Sequence, residues 1–178
     1  MAAVHQNWKV VEFVAEELKE NRAFVLSALE KDARVLQFVS GHLQANKEIV
    51  FAAVAQSVAA FEFASDHLRA DKELVLAIVK LDGSALRYAS TELRADKDVV
   101  QAAVVQKGSA LCHASEELQA DREIVLAGVV VHGDQTLVHA AEHLKADAFI
   151  MRLVKFRQWG MSVKSLKQLV ATEVLCEK

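Results

Sequence analysis

The chain has 178 residues, 53% apolar and 25% charged, with six glycines and no proline. That is enough apolar material for a packed core, and it excludes disorder, collagen and Pro-rich linkers. A net charge of −3 gives no global attraction to nucleic acid.

The first residues, MAAVHQNWKVVEF, lack the basic start and long apolar core of a secretory signal. The longest apolar stretch, residues 49–64, is interrupted by Gln56, Ser57 and Glu62. It falls short of the roughly 18 apolar residues that argue for a membrane span. Cys112 and Cys176 are too few and too far apart for a disulfide framework or a zinc site. They read as reduced thiols of a cytoplasmic protein, with the nucleus as the other compartment.

In chain order, residues 7–20, with Trp8, form an N-terminal capping helix. A period of 25 then sets in: Asn21, Asn46, Asp71, Asp96 and Asp121 stand 25 apart, and Asp147 follows after 26. The text between them recurs as NKEIVFAAVAQ, DKELVLAIVKL, DKDVVQAAVVQ and DREIVLAGVVV. One inserted residue, placed within 132–135, restores the alignment. Residues 21–146 make five full repeats, each read as two short helices. The Asp or Asn caps the first helix through its side chain, and acids at 48, 73, 98 and 123 suit the positive end of the helix dipole. The break near Gly83, Gly108 or Gly133 invokes glycine's left-handed freedom. Ser84 and Ser109 then cap the second helix, whose apolar face in one repeat is Ala85, Leu86, Ala89 and Leu93. Residues 147–178 are a diverged repeat and a closing helix over 162–176. Diverged units at both ends lead to the expectation of a complete array.

Ten-residue helices are marginal alone and bury their faces only by stacking on neighbours. The expected fold is therefore all-α: an α-solenoid of about six helix-turn-helix repeats with a cap at each end, one domain over 1–178. The consensus [DN]-K-E-[IL]-V-L-A-A-V…G-x-A-L-x-[YF]-A-S-x-E-L resembles a tandem αα repeat catalogued as a domain of unknown function. That family occurs in multi-copy arrays of protist and intracellular-bacterial proteins. The resemblance covers about residues 10–147. It implies an all-α repeat fold and no activity.

Several columns of the repeat are candidates for function. Phe13, Phe38, Phe63, Tyr88, His113 and His139 form an aromatic column, read as packing between repeats in preference to a stacking platform. His139 and His143 stand four apart, but position 140 is alanine where a zinc-protease helix has glutamate. His42, His67 and His143 alternate with Glu17, Glu92 and Glu117, a solvent-facing pattern, so no metal is expected. Arg22, Lys47, Lys72, Lys97 and Arg122 can pair with acids of neighbouring repeats.

The first helix is apolar nearly all round, which predicts deep burial. One of its columns varies in size and polarity: Leu26, Phe51, Leu76, Gln101, Leu126 and Arg152. Phe51, Leu76, Gln101 and Leu126 are therefore the expected docking stripe for a protein or peptide partner. Residues 148–178 carry a net charge of +4 against −7 for the rest. Arg157, Lys164 and Lys167, near Phe156 and Trp159, are the alternative: contact with an anion or nucleic acid. A self-associating structural module is the third reading. No phosphate loop, Cys-x-x-Cys or G-x-S-x-G is present, so no catalytic residue and no cofactor is expected.

Overall fold

A computed structural model describes residue 12 and residues 15–176. The proposed first turns of the N-terminal cap, Trp8 and Phe13 lie outside the described residues. The chain is all-α and folds as the repeat solenoid its period predicts; no strand occurs among the described residues. The helices that open the repeats are α1 (Arg22–Leu29), α2 (Lys47–Gln56), α3 (Lys72–Leu81), α4 (Lys97–Gln106), α5 (Arg122–His132) and α6 (Ala148–Gln158). The closing helix is α7 (Val163–Cys176). Two compact units result: the described residues up to Ile78 with Tyr88–Ser90, and Val79–Arg87 with the chain from Thr91 onward.

All six opening helices are capped as their sequence dictates. Asn46, Asp96, Asp121 and Asp147 each accept from two backbone N–H groups of the first turn, at 2.8–3.2 Å. Asn21 accepts from Phe24 N at 3.0 Å, and Asp71 from Leu74 N at 2.9 Å. Each cap satisfies donors that the helix itself leaves orphaned.

The second half of a repeat is not one helix. In four repeats it is a six-residue 3-10 helix, as at Val58–Phe63, then an extended pair of residues, then a four-residue α-helix such as Asp66–Arg69; in the fifth, the short α-helix Asp134–Leu137 takes the place of the 3-10 helix. The reason is a hydrogen bond that the sequence does not advertise. Ser65 (φ −58°, ψ 152°) turns its N–H onto Gln44 O at 3.0 Å, one repeat back. In the first unit Ser40 does the same to Lys19 O and Ser90 to Arg69 O. In the second, Ser115 pairs with Arg94 O and Ala141 with Gln119 O. A continuous helix would spend that N–H internally, so the repeat gives up a turn of helix to stitch itself to its predecessor.

Gly83 and Gly108 do not take the left-handed conformation; among the described residues only Gly133 (φ +63°) and Gly160 (φ +86°) do. The first two are glycines because something sits where a Cβ would go. At Gly83 it is the Ala103 carbonyl; at Gly108 it is Thr136 Oγ1, with His132 Cβ 2.8 Å away. Nor do Ser84 and Ser109 cap the second helix. Asp82 does so for the Gly83–Tyr88 segment, accepting from Ser84 N at 2.9 Å, and Asp32 caps its own repeat through Arg34 N. The extra residue of the 26-residue step lengthens α5 to His132, and Gly133 then turns the chain.

Burial follows the pattern i, i+1, i+4, i+5 on each opening helix. Ile49, Val50, Ala53 and Val54 in α2 and Val99, Val100, Ala103 and Val104 in α4 are buried, as are Leu36, Phe61, Leu86 and Leu111 of the 3-10 segments. Each large apolar side chain so enclosed contributes about 1.5–3 kcal/mol. The opposite face stays open: Phe51 is 36% and Val105 42% exposed. The expectation of an all-round buried opening helix holds only for α5, where α7 lies on its front and even Leu126 and Val130 are covered.

Candidate functional site

A concavity lies where α4, α5 and α7 meet in the second unit. A groove of about 330 Å³ is lined by Gln101 and Val105 of α4, by Glu123, Leu126, Ala127, Val130 and Val131 of α5, and by Lys167 and Val170 of α7. Its floor is apolar because these residues sit one turn round from the buried i, i+1, i+4, i+5 face. A second hollow, about 590 Å³, meets it at Gln101 and Val105 and extends to Lys80, Asp98, Ala102 and Gln106. α7 packs against α5 and α6, with Leu166 wholly buried, so the chain's own helix forms one wall.

Of the expected docking stripe, the structure brings Gln101 and Leu126 into this one groove. Gln101 is exposed, but Leu126 is only 3% exposed, so a position expected to be free of packing is in fact packed. Phe51 and Leu76 lie in the first unit, on α2 and α3; Phe51 is exposed and Leu76 half-buried. Sequence reasoning missed Val105 and Lys80. They belong to the column Glu30, Ala55, Lys80, Val105, Val130 and Phe156, whose polarity varies more than that of the chosen stripe. That column stands four positions, about one helical turn, after the chosen stripe.

Of the anion-binding alternative, one residue is engaged within the chain. Arg157 is half-buried and donates from Nε and Nη2 to Val131 O at 3.4 and 3.3 Å, at the end of α5. Gln106 does the corresponding work on α3, donating to Leu81 O at 3.1 Å, and His132 Nε2 lies 2.9 Å from Val105 O. These side chains occupy carbonyls that the last turn of the preceding helix leaves unpaired. Lys164 and Lys167 stay exposed around a shallow hollow with Val163, Gln168 and Ala171.

Phe38, Phe63, His113 and His139 are half-buried and Tyr88 is buried. Burial lowers the His113 pKa, and the positive charges of Arg87, Arg94, His139 and Lys107 push it the same way. His42, His67, His143, Glu17, Glu92 and Glu117 are all exposed. Among the described residues, no three His, Cys, Asp or Glu side chains converge as a metal site. The charge ladders do pair across repeats. Lys47 meets Asp71 at 2.5 Å, Lys97 meets Asp121 and Glu123 at 2.8 and 2.7 Å, Arg122 meets Asp147 at 3.1 Å, and Arg22 pairs with Glu48. Lys47 and the helix N–H groups hold the Asp71 carboxyl below its ordinary pKa, against a smaller opposing push from burial. Burial pushes Asp121 and Asp147 up, but their cations and capping bonds outweigh it and leave both lowered.

A family model described as Domain of unknown function (DUF4116) matches residues 1–44, 21–69, 46–94, 71–119 and 96–145. The chain belongs to the DUF4116 family. Successive matches start about 25 residues apart and each spans about two periods. A DUF4116 unit is thus a pair of neighbouring repeats, the smallest piece that contains one complete inter-repeat stitch. No curated protein and no solved structure matches the chain. No helix among the described residues is long and apolar enough to cross a membrane.

Proposed function

We propose that this chain is a non-enzymatic helical-repeat scaffold that binds a protein or peptide partner along the open face of its opening helices. The observation that carries the reading is the groove between α4 and α5. It is an apolar concavity of about 330 Å³ with Gln101, Glu123 and Lys167 among its lining residues. Such grooves suit an element that brings its own apolar stripe. Its walls are held by the capped helices and the stitches between repeats, so little ordering cost falls on the scaffold at binding.

The test is site-specific photo-crosslinking in native cell extract. A crosslinker at Gln101 should trap a discrete partner, and Val105→Glu should abolish the adduct while the circular dichroism spectrum is unchanged. A crosslinker at Glu62, exposed on a 3-10 segment of the first unit, serves as the control. The same adducts from both positions, or none from Gln101, would remove the proposal. Leu126 is a poor choice for this test, since its burial would confound lost binding with lost folding.

A further inference from the structure

Resting on that scaffold reading, we infer that the occupant of the α4–α5 groove is an acidic amphipathic helix, laid beside α7. Two observations select it. The first is continuity with an interface already built. α7 docks on the front of α5 with Leu166 buried, and the next groove along the same helix has α7's Val170 as its wall. A second helix placed there would touch α4, α5 and α7 and complete a packed layer. Val105, Ala127, Val131 and Val170, which are exposed or half-buried, offer it apolar contacts. The spacing that fills such a groove is an apolar residue at every third or fourth position.

The second observation is charge. The rim carries Lys80, Lys167, Asp98 and Glu123. Glu123 is already engaged by Lys97 at 2.7 Å, and Asp98 also has a partner within the structure. Lys80 and Lys167 are exposed, and among the described residues no carboxylate pairs with either. The rim therefore offers two lysines that no carboxylate of the described residues engages, on the side of the +4 carried by residues 148–178. A helix flanked by Glu or Asp meets both lysines; one flanked by Lys or Arg meets like charge.

The experiment is selection on the full chain from a displayed library of amphipathic helices about four turns long. The apolar stripe is fixed as Leu, and the flanks are randomised among Glu, Gln and Lys. The expected result is enrichment of Glu flanks. For the winning peptide, Lys80→Glu with Lys167→Glu should weaken binding by about tenfold or more at low salt, and less at high salt. Enrichment with no flank preference, lost on Val105→Glu, would overturn the acidic partner and leave the scaffold reading standing. Equal enrichment on the wild-type chain and on Val105→Glu would overturn both.

Discussion

Thr136→Val tests the packing argument at its tightest point. Thr136 is wholly buried, and its Oγ1 has no hydrogen-bond partner. It stands in a column otherwise filled by Val35, Ala60, Ala85 and Ala110. Two glycines make room for the larger side chain. A Cβ at Gly108 would overlap Oγ1, and one at Gly128 would come within 2.5 Å of Cγ2. With glycine backbone so close on both sides, the hydroxyl is desolvated. An unsatisfied buried hydroxyl costs about 1–3 kcal/mol, and valine replaces it by a methyl of the same shape. Thr136→Val should therefore stabilise the chain by about 1–2 kcal/mol. At roughly 2–4 °C per kcal/mol for a chain of this size, Tm rises by about 2–8 °C. Thr136→Ser keeps the hydroxyl, loses the methyl, and should cost about 1 kcal/mol. Calorimetry on the three proteins decides the matter. If valine lowers Tm while serine is tolerated, the hydroxyl has a partner and the packing argument is wrong.

Gly128→Ala alone should destabilise by about 1–3 kcal/mol through overpacking, and Thr136→Ala in the same chain should recover part of it, the close contact with Val104 Cγ1 remaining, a coupling that urea titration of the double-mutant cycle will measure. Ser65→Pro keeps a compatible φ of −58° and removes the N–H that reaches Gln44 together with a buried hydroxyl, so a loss of about 1 kcal/mol relative to Ser65→Ala isolates the stitch; equal urea midpoints for the two variants would show that the stitch is idle. Because the folded pKa of His113 is lowered, its stability contribution is intact above the unfolded value of about 6.5 and is lost as pH falls through the folded pKa. His113→Phe, the residue of Phe38 and Phe63 in the same column, should remove the part of the urea-midpoint slope that lies below pH 6.5. The lowered carboxyls of Asp71, Asp121 and Asp147 act in a separate window: their contribution holds above about pH 3.8 and fades below it, and Asp71→Asn should flatten that acid limb.

The fold was legible because its signals repeat. Six side-chain caps, the apolar faces and the cross-repeat ion pairs each follow from residue type and position. The split of the second half was not legible, because a backbone N–H looks the same in every residue. Ala89 and Ser90 carry no mark showing that the chain stops being helical there. Gly83 and Gly108 were legible as special but for the wrong reason, since a close approach from a neighbouring repeat leaves no trace in local sequence. For the candidate site, column variability led to Gln101, which lines the groove. It overlooked Val105, and it promoted Leu126, whose covering helix α7 lies outside the repeat and so breaks the periodic logic.

The backbone at Ser40, Ser65, Ser115 and Ala141 is already bent as a proline would have it, near φ −60° and ψ 150°. The chain nevertheless contains none of that residue. Each of those amides is the thread that ties its unit to the one before. A single imino acid there would cut the thread and hardly disturb the shape. At these places the fold depends on an atom of the main chain, and many side chains are admissible provided that the nitrogen keeps its hydrogen.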